Sequence, residues 1–269
     1  MAELTLGGKP ITRVTEAAKL SRLSMLLWGS AGTGKTTLAC TAPGRKLLIN
    51  FDPDGYQSVR DDENVSVVDL SDARASVTEQ FKIESDPFGL SKIIDNFDTI
   101  IVDSLTNVAH KTTMQGIAVT KGATIERPSP GAYGVRNALV TQLVKNMLAL
   151  TNRHKKHIIF IAHEDAPVTN EDGVVMHITL SLGGKLPEQA ALDFSEVWCV
   201  QDMGAGRDRR IMVRPCRNRK PMKTRMFETS GEPEFSWKYN PDKHEGMTIA
   251  SWYEKWLETG TKLPIPTGK

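Results

Sequence analysis

Residues 29–36 read GSAGTGKT, between an apolar run, LSMLLW (23–28), and a stretch of helical composition, TTLACTA (36–42). The octapeptide fits G-x-x-x-x-G-K-[S/T], and a strand before it and a helix after it are the context that pattern needs. Gly29, Gly32 and Gly34 let the backbone curl, so that the N–H groups of Ser30, Ala31, Thr33 and their neighbours point at one centre. The following helix adds the positive end of its dipole. Such a loop cradles nucleotide phosphates. Lys35 would reach the β- and γ-phosphates, Thr36 would offer its hydroxyl to Mg²⁺, and Thr37 completes the binding stretch. The alternative, a glycine-rich turn without a ligand, fits neither the eight positions nor their flanks.

Working outward, apolar strand patterns alternate with helical ones. KLLINFD (46–52) reads as a second buried strand, VSVVDL (65–70) as a third, DTIIVDS (98–104) as a fourth and HIIFIAH (157–163) as a fifth. Between them lie a helix from Asp86-Pro87 to about Phe97, a helix over 105–119, a Gly- and Pro-rich loop over 121–134, and a long amphipathic helix over 135–156. Leu139, Leu143, Met147 and Leu150 give that last helix its apolar face. This alternation predicts an α/β fold with a doubly wound, mostly parallel sheet. Further on, TNEDGVV reads as a hairpin, and EVWCVQD with RRIMVRP as a strand pair joined by MGAGR. These form a C-terminal antiparallel extension. The domain division expected is an entry segment (1–22), a nucleotide-binding core (23–230), and an extension (231–269) with one helix over 247–258 and a disordered tail.

The bulk numbers narrow the classes. The 269 residues carry a net charge of only +2, so any nucleic-acid affinity must come from local clusters. Cys40, Cys199 and Cys216 are isolated, which fits neither a disulfide framework nor a zinc finger. No run of about 18 apolar residues and no secretory h-region occurs, so a cytoplasmic, non-membrane protein is expected.

A phosphate cradle with Mg²⁺ needs a carboxylate for the metal shell. Asp103, ending the strand TIIVD, is the natural choice, with Thr36 and Asp103 as the metal-side residues through water. Hydrolysis further needs a group to orient water. Asp52 and Asp54, in NFDPDGY after the second strand, are equally eligible on chemistry alone, since strand C-termini in such a sheet face the ligand crevice.

With VDSL (102–105) in view, the chain resembles the RecA-like P-loop ATPases, and the order of motifs agrees over about 23–230. Within them it is similar to phage nucleotide-binding, Sak-type single-strand annealing proteins, whose D-x-E-G pattern reads Asp52-Pro53-Asp54-Gly55 here. The resemblance places Asp54 at the family's catalytic Glu, one methylene shorter. It also implies that His163 senses the γ-phosphate and that Arg217 and Arg219, in Arg217-Asn218-Arg219, reach the ATP of a neighbouring subunit. Residues 109–132 and 164–184, the latter closed by Gly183-Gly184, would be DNA-binding loops. The implied protein is an ATP- and Mg²⁺-dependent single-stranded-DNA-binding ATPase of phage recombination or annealing. It would form a homo-oligomeric ring or filament, with a single-strand-binding protein as a further partner, in the cytoplasm of a bacterial host.

The basic run from Arg207 to Arg225 holds nine Lys/Arg and one acid, Asp208. Arg207, Arg209 and Arg210 form a basic turn available to DNA, as do Lys121, Arg127 and Arg136 near the first loop. Three rivals share the cradle. A hexameric helicase motor would carry an extra domain, and a small-molecule kinase would need an arginine-rich lid. A nucleotide-gated interaction protein with weak ATPase would fit the Asp-for-Glu change.

Overall fold

A computed structural model describes residues 5–6, 9–10, 22–72, 81–204 and 209–266. Strands β1 (Thr5–Leu6) and β2 (Lys9–Pro10) pair antiparallel near the N-terminus. The apolar run that precedes the cradle forms β3 (Ser24–Gly29), followed by the short helix α1 (Lys35–Cys40). Then come β4 (Lys46–Asn50), β5 (Val65–Asp69), β6 (Thr99–Asp103), α2 (Leu105–Val119), α3 (Pro130–Arg153) and β7 (His157–His163). After the hairpin β8 (Val168–Thr169) and β9 (Val175–His177) lie α4 (Leu186–Asp193), β10 (Glu196–Asp202) and β11 (Arg209–Met212). The chain closes with β12 (Glu234–Trp237), β13 (Tyr239–Asn240), β14 (Glu245–Gly246) and α5 (Ile249–Thr259).

Eight strands make the main sheet in the order β12-β11-β10-β3-β7-β6-β4-β5. From β10 to β5 every pair is parallel, and β11 and β12 add on antiparallel. This is the α/β, doubly wound, mostly parallel sheet with a C-terminal antiparallel extension that the sequence predicts. The inner strands read as unbroken apolar runs because both faces are covered. Leu26 and Trp28 of β3 pack with Val108 of α2 and Leu143 and Met147 of α3, whereas Met25 and Leu27 pack with Leu38 of α1 and Trp252 of α5.

The parallel strands all end at one edge, and that edge carries the site. Helices α2 and α3 run antiparallel: a Cβ at Gly116 would meet the Ala132 carbonyl, and one at Gly131 the Thr120 side chain. Helix α3 is about 36 Å long at 1.5 Å per residue, against about 23 Å for β7. Its first turns therefore overhang the sheet.

Four local expectations need correction. The stretch 65–70 is no buried strand: Val67 and Val68 are 46% and 39% exposed, because β5 is the edge strand with a partner on one side only. The segment 86–97 forms two 3₁₀ pieces, Pro87–Lys92, itself kinked by left-handed backbone at Phe88 and Gly89, and Ile94–Asn96, with Ile93 between them. The loop before α3 ends at Pro130, where Ser129 caps the helix through Ala132 N–H.

The tail as far as residue 266 is ordered against the body. Leu263 is buried, donates to Met226 O, and accepts from Glu228 N–H at 2.8 Å. Within the C-terminal extension, β12 is a strand of the main sheet. Helix α5 is tied to the end of α1 by hydrogen bonds from Ile249 N–H to Thr41 Oγ1 and from Ala250 N–H to Thr41 O. Trp252 lies among Trp198, Phe227 and Phe235 with ring centroids 5.5–5.9 Å away. Trp252→Ala should lower the unfolding free energy by about 3–5 kcal/mol in urea titration; unchanged stability would mean that α5 contributes nothing to the core.

Candidate nucleotide site

Strand β3 ends at Gly29, where an added Cβ would lie 2.1 Å from Val200 O, so only glycine lets the loop pass this close to β10. Gly32 and Gly34 adopt φ of 76° and 87°, the left-handed region that glycine enters freely. Among the described residues, the backbone N–H groups of Ala31 through Thr37 have no protein acceptor. Seven orphan donors on one curl are a binding site for an anion with many oxygens.

Lys35 Nζ donates to Ser30 O at 2.6 Å, folded back on the loop it serves. Burial lowers its pKa, while Asp103 and Asp52 pull the other way. Thr36 Oγ1 donates to Asp103 Oδ2 at 2.6 Å, so the hydroxyl and the carboxylate expected around Mg²⁺ already meet. Asp103 is 2% exposed, and burial pushes its carboxyl up to about 6, with the Asp52 charge adding and the Thr36 hydrogen bond opposing. A hydroxyl and a buried carboxylate beside unpaired N–H donors fit a hard cation on a phosphate chain.

Of the two acids left open by chemistry, Asp52 is the one brought to this centre. Its Oδ1 accepts from Ser104 Oγ at 2.7 Å and Asn107 Nδ2 at 2.6 Å, and its Oδ2 lies 2.7 Å from His163 Nε2. Burial opposes its ionisation, yet the hydrogen bonds from His163, Ser104 and Asn107 outweigh it and hold its pKa below the ordinary value. Asp54 is exposed at φ 52° in the turn that opens a 3₁₀ helix at Gly55. The turn is fixed from below, since a Cβ at Gly55 would meet Asn50 Oδ1 at 2.7 Å. Asp52, and not Asp54, is thus the acid that converges with Ser104, Asn107 and His163. His163 ends β7, pairs in register with Gly29, and donates its N–H to Thr106 Oγ1. Thr106 and Asn107 were not singled out by sequence, and Ser104, noted there only within VDSL, is the N-cap of α2.

The basic run is mostly spoken for within the chain. Arg217 binds Glu234 through Nε at 3.0 Å and Nη2 at 2.6 Å, and Arg210 binds the same carboxylate at 2.6 Å. Arg219 Nε binds Glu164 at 3.0 Å, and Glu164 Oε1 in turn accepts from Ser30 Oγ of the loop at 3.2 Å. Arg217 and Arg219 thus each bind a carboxylate of their own chain. Arg209 lies against the cradle: a Cβ at Gly34 would meet its Nη1 at 2.7 Å. Arg207 lies outside the described residues. Of the cations near the first loop, Lys121 and Arg127 are exposed, whereas Arg136 stacks on Tyr133 and touches Gly183.

A family model for the AAA domain matches residues 21–200. The chain belongs to the AAA-domain family. No curated protein matches it in sequence. Among solved structures, this AAA-domain chain is similar to a KaiC-like protein from the hyperthermophilic archaeon Pyrococcus horikoshii. That pair is 14% identical, with 84% of this chain and 88% of that one covered and a TM-score of 0.43. It is also similar to the RadB recombinase, 11% identical, with 81% and 87% covered and a TM-score of 0.48. Among the described residues, no helix of this AAA-domain chain is long and apolar enough to cross a membrane.

With its carboxyl pushed up to about 6 by burial, Asp103 must lose its proton before it can serve a metal. The Mg²⁺-dependent part of ADP affinity should therefore weaken as pH falls through about 6, and Asp103→Asn should remove that dependence. A wild-type Mg²⁺ effect that is flat from pH 8 to 5 in calorimetric titration would contradict the assignment.

Proposed function

We propose that this AAA-domain protein binds ATP with Mg²⁺ in the Gly29–Thr36 loop and hydrolyses it with Asp52 and His163. The observation that carries the reading is the row of unpaired N–H groups from Ala31 to Thr37 next to Lys35, Thr36 and Asp103. Lys35 would leave Ser30 O to neutralise the β- and γ-phosphates. Thr36 and Asp103 would hold Mg²⁺, which supplies charge stabilisation at the phosphate oxygens when bound. Asp52, kept ionised by Ser104 and Asn107, is the group suited to orient a water and take its proton. His163, donating to Asp52 through Nε2–H, sets the direction of that carboxylate and can pass on γ-phosphate occupancy.

Asp52→Asn should therefore cut steady-state ATP turnover by about a hundredfold or more, with ATP affinity kept within a few-fold. Asp54→Asn should leave turnover near wild type. The reverse ranking in a phosphate-release assay would return the role to Asp54. Nucleotide binding without turnover in wild type would favour the reading in which the nucleotide acts only as a switch.

Single-stranded DNA is the proposed partner. In support, Arg136 on the overhang of α3 touches Gly183, which joins the end of the 164–184 segment to the start of α3 and brings both expected loops to the edge that carries the cradle. Lys121 and Arg127 are the exposed cations of the first loop. The acid-tipped hairpin at Glu171-Asp172 is the poorer DNA surface and suits a protein partner better. Assembly into a ring or filament, and a role in phage annealing or recombination, rest on the order of motifs over 23–230. Arg217, with a side chain 49% exposed, is better placed than Arg219 to turn to a neighbour's nucleotide. Lys121→Ala/Arg127→Ala should weaken binding of a fluorescent oligonucleotide and flatten its salt dependence; unchanged affinity and slope would remove this loop from the DNA surface.

A further inference from the structure

Arg209 opens β11, and β11 is antiparallel to β10. An antiparallel strand starts at the edge where its parallel neighbours finish, so Arg209 is delivered to the edge that carries the cradle. Its guanidinium lies against the loop: Nη1, Cζ and Nε would be 2.7, 3.0 and 3.2 Å from a Cβ at Gly34. From the other side the Trp237 ring supports it, 5.7 Å from Cζ to centroid, on the strand register that pairs Arg209 with Trp237.

The neighbouring arginines take carboxylates, but Arg209 does not. Arg210 and Arg217 share Glu234, and Arg219 holds Glu164. Asp202, directly opposite Arg209 in the ladder, instead accepts from Gly204 N–H. Among the described residues the Arg209 guanidinium has no hydrogen bond or ion pair. A guanidinium held by a tryptophan face, without a counter-ion among the described residues, beside seven unpaired N–H donors leaves one obvious complement, a phosphate oxygen.

We propose that Arg209 is a phosphate-binding residue that acts in its own subunit, contacting the phosphate chain of a nucleoside di- or triphosphate seated in the Gly29–Thr36 loop. The inference rests on the nucleotide reading of that loop and adds a second cation to Lys35. It also changes how the basic run serves the site, since the arginine nearest the phosphates is supplied within the chain, by the turn that the sequence assigns to DNA.

Equilibrium titration with ADP and ATP at several salt concentrations tests this, using wild type, Arg209→Gln and Lys35→Ala. Loss of one charge-assisted contact should weaken both nucleotides about 10- to 100-fold in Arg209→Gln. It should also make affinity less dependent on salt than in wild type, with the nucleotide-free melting temperature unchanged. Lys35→Ala serves as the reference for failure of the loop itself. Arg209→Gln binding within twofold of wild type while Lys35→Ala abolishes it would overturn the Arg209 contact and leave the cradle standing. Weaker binding with an unchanged salt slope would likewise overturn it, because packing and not charge would have been lost. Undiminished binding in Lys35→Ala would instead sink the nucleotide reading on which the proposal depends.

Discussion

Asp52 leaves β4, and its two oxygens collect donors from the elements that follow β6 and from the end of β7: Ser104, Asn107 and His163. Three parallel strands thus finish on one carboxylate. Hydrogen bonds to an ionised group are stronger than neutral ones, and leaving such a group half-satisfied in a partly buried setting is costly. The arrangement of the site follows from this. Ser104 must cap α2 and face Asp52 at once, His163 must end its strand in register with Gly29, and Asp103 is left beside Thr36 with its own carboxyl pushed up by burial.

Around this centre the charges are arranged in pairs within the chain. Glu164 links Arg219 to Ser30 of the phosphate loop, and Glu234 holds Arg210 and Arg217 on the adjoining antiparallel strands. The same basic tripeptide braces the 164–184 segment through its backbone, with Asn218 O accepting from Ile178 N–H and Asn218 Nδ2 donating to Val175 O. The loop that would hold phosphate and the hairpin β8–β9 are therefore joined by one continuous set of polar contacts. A nucleotide that moved Ser30 would act on Glu164 first and on the hairpin through Arg219.

Much of this was legible in sequence where local chemistry alone decides. GSAGTGKT, its flanking strand and helix, and Asp103 at the end of TIIVD are short-range patterns with one backbone solution, and the inner strands show as apolar runs because both their faces are covered. The choice between Asp52 and Asp54 was not legible, because it turns on a left-handed residue at 54 and on which side chains arrive from 104, 107 and 163. Val67 and Val68 mimic a buried strand, and only the strand order shows that β5 has one neighbour. The fate of the basic run was hidden for the same reason. Glu164 lies 55 residues from Arg219, and Glu234 lies 17 from Arg217 and 24 from Arg210, so composition reads as free positive charge three arginines that the fold has paired.

The central claim is that the unpaired N–H groups of 31–37 receive phosphate while Asp52 faces the reacting end. The most direct test is a structure of the chain with Mg²⁺ and a non-hydrolysable ATP analogue. The account predicts phosphate oxygens within hydrogen-bond distance of those N–H groups, Lys35 Nζ moved from Ser30 O to the phosphates, and Asp52, not Asp54, nearest the γ-phosphate. An analogue bound elsewhere, or a loop still closed by Lys35 on Ser30 O, would contradict it.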